Sequence, residues 1–162
     1  MGSGKSGLYS GTFGSSQPFS PSYSVMPDMN AADRDHGIYD DHGYEKNPTA
    51  RNIEDAILGN YIGDKHTNRK FTYVIDLGGN IIIGERNGNG PGGDATPHPT
   101  LIGGRDPKVI VAGILDVRGG KIYSFDNQSG HFKPNIKSLE AAKKAFEKLP
   151  KPLFHKKYGR TQ

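Results

Sequence analysis

The chain has 162 residues, 33% of them hydrophobic, with 23 glycines, 11 prolines, no cysteine and a net charge of +4. That length suits one domain with a modest core, and the absence of thiols excludes disulfides and thiolate metal sites. No apolar run approaches the roughly 20 residues that cross a bilayer, so membrane insertion is not expected.

The opening Met1-Gly2-Ser3-Gly4 reads as an appended remnant, because no apolar segment of a signal peptide follows, and an excised domain is expected. Residues 1–25 are Gly, Ser, Pro and Tyr without apolar periodicity, which predicts a flexible linker or an arm draped over the domain. A single α+β domain is expected over residues 26–162. Pro27-Asp28 offers a turn and cap for a short helix over about Asn30 to Asp41. A second helix is predicted from about Ala50 to Tyr61, capped by Thr49, because Ile53, Ile57, Leu58 and Tyr61 fall on one stripe.

Strand patterns follow. Phe71–Asp76 and Ile81–Arg86 flank Leu77-Gly78-Gly79-Asn80, where the glycines permit a tight hairpin turn. After a Gly/Asn/Pro loop over residues 87–98, Lys108–Val117 and Lys121–Asp126 form a second hairpin through Arg118-Gly119-Gly120. A last helix spans about Leu139 to Lys148, with Ser138 as cap and Leu139, Ala142, Phe146 and Leu149 as its buried stripe. The expected fold class is α+β: a twisted, mostly antiparallel sheet of at least four strands with helices packed on one face.

The loop Asp126 to Pro134 places a carboxylate, a hydroxyl, an imidazole and an ammonium between a hairpin and a helix. Loops of this kind lie at surfaces and carry binding and catalytic groups. His131 can exchange a proton near neutral pH. Ser129 supplies a hydroxyl, Lys133 can neutralise a phosphate, and Asp126 can orient the imidazole or hold a ribose hydroxyl. The bland alternative is a structural corner with His131 tied to a carbonyl. A second candidate is His98, posed between Pro97 and Pro99, with Thr100 and the anion fork Arg105 following. Glu85-Arg86 ends a strand beside a loop, where Glu85 could steady a developing cation; a surface ion pair is the alternative.

Asp33, Asp35, His36, Asp40, Asp41 and His42 match no calcium loop and read as a solvated acidic face. Residues 87–98 open no helix, so their glycines are no nucleotide fingerprint, and no histidine pair has metalloprotease spacing. Residues 133–162 hold 9 Lys/Arg against 2 Asp/Glu. Such a block is either a solvated tail or a surface for a polyanion or acidic partner.

His98 with Thr100, Leu101 to Gly104, Ala112-Gly113, Gly120-Lys121-Ile122 and Ser129 to Pro134 together resemble a pattern in the C-terminal toxin modules of bacterial Rhs and other polymorphic toxins. A related arrangement occurs in plant calmodulin-binding IQ-motif proteins. The hydroxyl-bearing turn followed by two strands is similar to the core of ADP-ribosyltransferase toxins. That resemblance implies transfer of ADP-ribose from NAD, with Thr100 or Ser129 as the hydroxyl, His98 or Arg86 as the NAD grip and Glu85 as the leading carboxylate. The chain departs from that family in lacking Ser-Thr-Ser and Glu-x-Glu. Residues 30–40 are similar to the helix of parvovirus-type phospholipases, but Gly37 stands where a calcium-binding aspartate belongs, so the segment is read as structural.

The resemblance implies a secreted effector delivered into a target cell to act in its cytoplasm. It further implies a cognate immunity protein and a nucleic-acid or acidic-protein target. The alternatives are a metal-independent nuclease using His98 and His131, and a non-catalytic binding module. Both enzymatic readings need His98 and His131 to face one cavity.

Overall fold

The computed structural model describes residues 17–86 and 96–158. Most of the Gly/Asn/Pro loop expected over residues 87–98, and the front of the arm expected over residues 1–25, lie outside them. Eleven short strands and two helices follow in order: β1 (Tyr23–Ser24), α1 (Pro27–Asp35), β2 (Tyr39–Asp40), β3 (Gly43–Tyr44), β4 (Arg51–Asn52), β5 (Ile57–Leu58) and β6 (Tyr61–Ile62). β7 (Arg69–Ile75), β8 (Ile81–Glu85), β9 (Lys108–Val109), β10 (Val111–Arg118), β11 (Lys121–Phe125) and α2 (Leu139–Phe146) complete the set.

The fold is α+β, built on a five-stranded antiparallel sheet in the order β11-β10-β7-β8-β4. The hairpins form where alternating residues meet turn chemistry. Between β7 and β8, the Asp76 carboxylate accepts from the backbone N–H groups of Gly78 and Asn80, each at 2.9 Å, and Gly79 supplies a φ of 86°. In the β10–β11 pair the register shifts after Asp116, leaving Tyr123 as the extra residue of a bulge. The bulge lets Ile122 and Phe125 both face the same core although they stand three apart.

Strand alternation gives the sheet two faces. On one, Phe71, Tyr73, Ile75, Ile81, Ile83, Leu115 and Val117 pack with Ala142, Phe146 and Leu149 of α2 and its following turn. Phe125 and Phe146 stack with centroids 4.3 Å apart. On the other face Val74 and Ala112 lie under Leu101, Val109, Tyr23 and Phe132. This second apolar cluster is small, and it covers only part of its face.

Several expectations are corrected. The helix expected over residues 50–61 is absent. Instead Arg51 and Asn52 pair with Ile83 and Ile82 at the sheet edge, and Asn52 caps a single 3-10 turn over Ile53–Ala56. Gly59, at φ 63°, then reverses the chain into the β5–β6 pair. Pairing with β8 outweighs a helical spacing half carried by β-branched isoleucines. The first helix begins at Pro27 and stops at Asp35, before Gly37 turns the chain at φ 76°. Ser138 stands at the N-cap position of α2 as expected, but its side chain makes no capping bond. Asn135 caps a preceding 3-10 turn, and the Ser138 hydroxyl donates to the Asn135 carbonyl at 2.6 Å. The described part of the front arm is docked: Tyr23 is buried, and β1 pairs with β9.

Candidate active site

The loop after β11 is built by its own side chains. Oδ1 of Asp126 accepts from the N–H of Ile114 at 2.8 Å and that of Gln128 at 2.9 Å, so the carboxylate extends the ladder where β11 leaves the sheet. Gly113 makes room for this: a Cβ there would sit 1.9 Å from the Asp126 carbonyl oxygen. The Tyr73 hydroxyl donates to that same oxygen at 2.6 Å. Further along, the Asn127 amide donates to the Pro134 carbonyl, and Ser129 Oγ accepts from the Phe132 N–H. Phe132, fully buried, anchors the loop in the second apolar cluster. Lys133 closes it at φ 43°, its N–H bonded to the Ser129 carbonyl.

Held this way, His131 points at α1. Its Nε2 lies 3.0 Å from Oδ2 of Asp33, and the Tyr44 hydroxyl donates to the same oxygen at 2.5 Å. Asp33 is buried at 4% exposure. A buried carboxylate without such donors would be costly; here it fixes Nε2 as the protonated nitrogen and leaves Nδ1 as the acceptor. Burial pulls the His131 pKa below the ordinary histidine value, while the Asp33 charge and hydrogen bond oppose that shift. Burial and the bond to Asp33 push the Tyr44 hydroxyl upward.

His98 opens a 3-10 turn, His98–Leu101, seated on the second face of the sheet. The turn fits because Gly84 has no side chain: a Cβ there would lie 2.6 Å from Cδ2 of Leu101. Nε2 of His98 donates to the Gly113 carbonyl at 2.8 Å. Burial drives its pKa down to about 3, helped by the nearby charges of His131 and Arg86. His98 is therefore a neutral imidazole at pH 7, with its Nδ1 lone pair uncommitted among the described residues.

Arg86 acts on both this ring and Asp126, and Lys70 also acts on Asp126. Burial is the larger influence on Asp126 and raises its pKa. Lys70 and Thr72 share a face of β7, opposite Asp116 and Ile114. The Thr72 hydroxyl is buried without a hydrogen-bond partner among the described residues. The second face thus passes from an apolar half under Leu101 and Phe132 to a polar half with Lys70, Arg86, Asp116, Asp126 and the two imidazoles.

Of the expected site residues, His98, His131, Arg86 and Asp126 share this neighbourhood, and Lys133 closes the same loop. Asp126 does not orient His131; its Oδ1 is occupied by backbone, and Asp33 takes that role. Ser129 and Thr100 are buried in their own turns, the Thr100 hydroxyl donating to the Pro97 carbonyl at 2.7 Å. Glu85 lies on the opposite face, the side of Phe71, paired with Arg69 at the surface. Arg105 borders a separate cavity of about 550 Å³, beside Leu77 and Ile102.

Sequence reasoning missed Asp33, Tyr44 and Lys70. Asp33 was submerged in an acidic run whose other members face solvent; its only mark was a place one turn beyond Asn30, on the helix side that meets Tyr44. Among the described residues no three histidine or acidic side chains converge as a metal site would require, and no helix is long and apolar enough to cross a membrane. No protein-family profile, curated protein or solved structure matches the chain.

Proposed function

We propose that the chain is the catalytic domain of a toxin that cleaves RNA by metal-independent transphosphorylation on the polar half of the second sheet face. The observation that carries this reading is the buried Asp33–His131 pair beside a neutral His98 and the cations Arg86 and Lys70. Proton transfer and charge neutralisation are the two requirements of such a reaction, and these groups supply both.

Asp33 holds the Nε2–H of His131, so Nδ1 accepts the proton of a ribose 2′-hydroxyl as that oxygen attacks phosphorus. The bond from phosphorus to the 5′-oxygen breaks, and the same imidazole returns the proton to the departing oxygen. The products are a 2′,3′-cyclic phosphate and a 5′-hydroxyl. Arg86 and Lys70 spread the charge gathering on the phosphoryl oxygens. His98, its Nε2–H committed to Gly113, offers Nδ1 as an acceptor for a ribose hydroxyl or a base N–H. Its pKa of about 3 makes it unsuited to be a general acid near neutrality.

The toxin setting rests on the resemblance to polymorphic-toxin modules, and with it come delivery into a target cell and a cognate immunity protein. Transfer of ADP-ribose from NAD is the less favoured reading because Glu85 is engaged with Arg69 across the sheet from both imidazoles. Incubating the protein with a labelled RNA oligonucleotide in EDTA, and separately with NAD, distinguishes the two. Cyclic-phosphate ends support the proposal; intact RNA beside released nicotinamide overturns it.

A further inference from the structure

α2 and the turn after it carry an unused surface on the other side of the sheet. Lys143, Lys144, Lys148, Lys151, Lys156 and Lys157 are all exposed, and among the described residues none is in an ion pair. The chain end folds back onto the helix: the Tyr158 hydroxyl donates to a Glu147 carboxylate oxygen at 2.9 Å, and its ring lies 4.7 Å from that of Phe154. This return ties the segment that carries Lys156 and Lys157 to the end of α2 at Glu147. It also gives the Glu147 carboxylate a hydrogen-bond donor.

At Lys151 lies a largely apolar recess of about 310 Å³, lined by Glu147, Leu149, Lys151, Phe154 and Tyr158. We infer that this recess and its lysine rim dock an acidic protein, which inserts one apolar side chain between Leu149, Phe154 and Tyr158 while its carboxylates meet the lysines. Charge complementarity sets the sign of the partner, and the recess sets its kind. A nucleic-acid backbone could meet the lysines but has nothing aliphatic to fill the cavity. Its bases would need a free ring face, and the rings here already lie against one another, Phe125 with Tyr158 at 6.0 Å and Phe154 with Tyr158. Interfaces of this form concentrate affinity in a buried apolar anchor, with charges at the rim steering approach. Because the surface lies across the sheet from His98 and His131, docking here leaves the RNA-cleaving face open and does not depend on that reading.

The test uses the whole chain and three fluorescent probes: a glutamate-rich peptide with one central leucine, the same peptide with glycine in place of the leucine, and an oligouridylate. The leucine peptide is expected to bind in a salt-sensitive manner, about tenfold more tightly than the glycine peptide. Lys144→Glu with Lys148→Glu is expected to abolish binding without changing the melting temperature. Phe154→Ala is expected to remove the preference for leucine. Should that variant fail to fold, Lys151→Glu at the recess edge carries the same expectation of a loss. Equal binding of the two peptides, binding unaffected by charge reversal, or tight oligouridylate binding on this face without peptide binding would each overturn the inference.

Discussion

Nε2 of His131 lies 3.0 Å from Oδ2 of Asp33, joining the loop after the last strand to the first helix across 98 positions of sequence. The relationship gives the imidazole one tautomer and one orientation, as a general base requires. Replacing His131 by alanine is expected to reduce RNA cleavage at least about a hundredfold, the scale of a lost general base. Circular dichroism on the same preparation should show the fold retained.

Asp33→Asn tests the positioning role separately. In the native protein burial lowers the His131 pKa and the Asp33 charge raises it in part. On the proposed mechanism cleavage needs neutral His131, so the acid limb of the pH–rate profile is expected below the ordinary histidine range. Removing the Asp33 charge moves that limb to still lower pH while kcat falls. A structural role alone would lower kcat and leave the limb in place.

His98 makes stability depend on pH. Its pKa is about 3 in the folded chain against 6.5 for the free side chain. The unfolded chain therefore binds a proton that the folded one refuses. The stabilising contribution is complete above about pH 6.5 and is lost as pH falls towards 3, at up to roughly 1.4 kcal/mol per pH unit. Urea titrations of His98→Gln, which keeps a donor for Gly113, are expected to show a much flatter loss of stability between these limits. His131, also lowered, contributes in the same direction.

Gly113→Ala would force a Cβ to within 1.9 Å of the Asp126 carbonyl oxygen. Backbone on both sides must move, so a destabilisation of about 3 kcal/mol or more is expected, at the upper end of overpacking effects. Chemical denaturation measures it, and cleavage should fall with it, since the shifted loop carries His131.

Glu85→Gln discriminates between the enzymatic readings. Its pair with Arg69 is partly exposed and contributes less than about 1 kcal/mol. RNA cleavage is expected to be unchanged by the substitution. Had Glu85 been the carboxylate of an ADP-ribosyl transfer, the variant would be inactive.

What was legible in the chain followed from repetition. The β7–β8 and β10–β11 hairpins were readable because alternating apolar residues abut Gly-Gly turns, and α2 because Leu139, Ala142, Phe146 and Leu149 keep helical spacing. Residues 50–61 misled because Ile53, Ile57, Leu58 and Tyr61 satisfy that same spacing. Their fate was decided by Ile82 and Ile83 of β8, the partners of Arg51 and Asn52 some thirty positions on, a non-local pairing that no local window contains. The two histidines stood out through their flanking prolines and glycine, whereas Asp33 did not, because its burial depends on Tyr44 and on a loop far along the chain. Glu85 ends its strand, as its place before a Gly/Asn/Pro loop suggests, but strand parity turns its carboxylate towards Phe71, away from His98.

Product analysis of one RNA oligonucleotide, incubated in EDTA with the native chain and with His131→Ala, decides whether His131 is the base of an RNA-cleaving site. Fragments ending in 2′,3′-cyclic phosphate are expected with the native chain and at least about a hundredfold fewer with the variant. Equal cleavage by both proteins, or intact RNA at high protein concentration, would contradict that role.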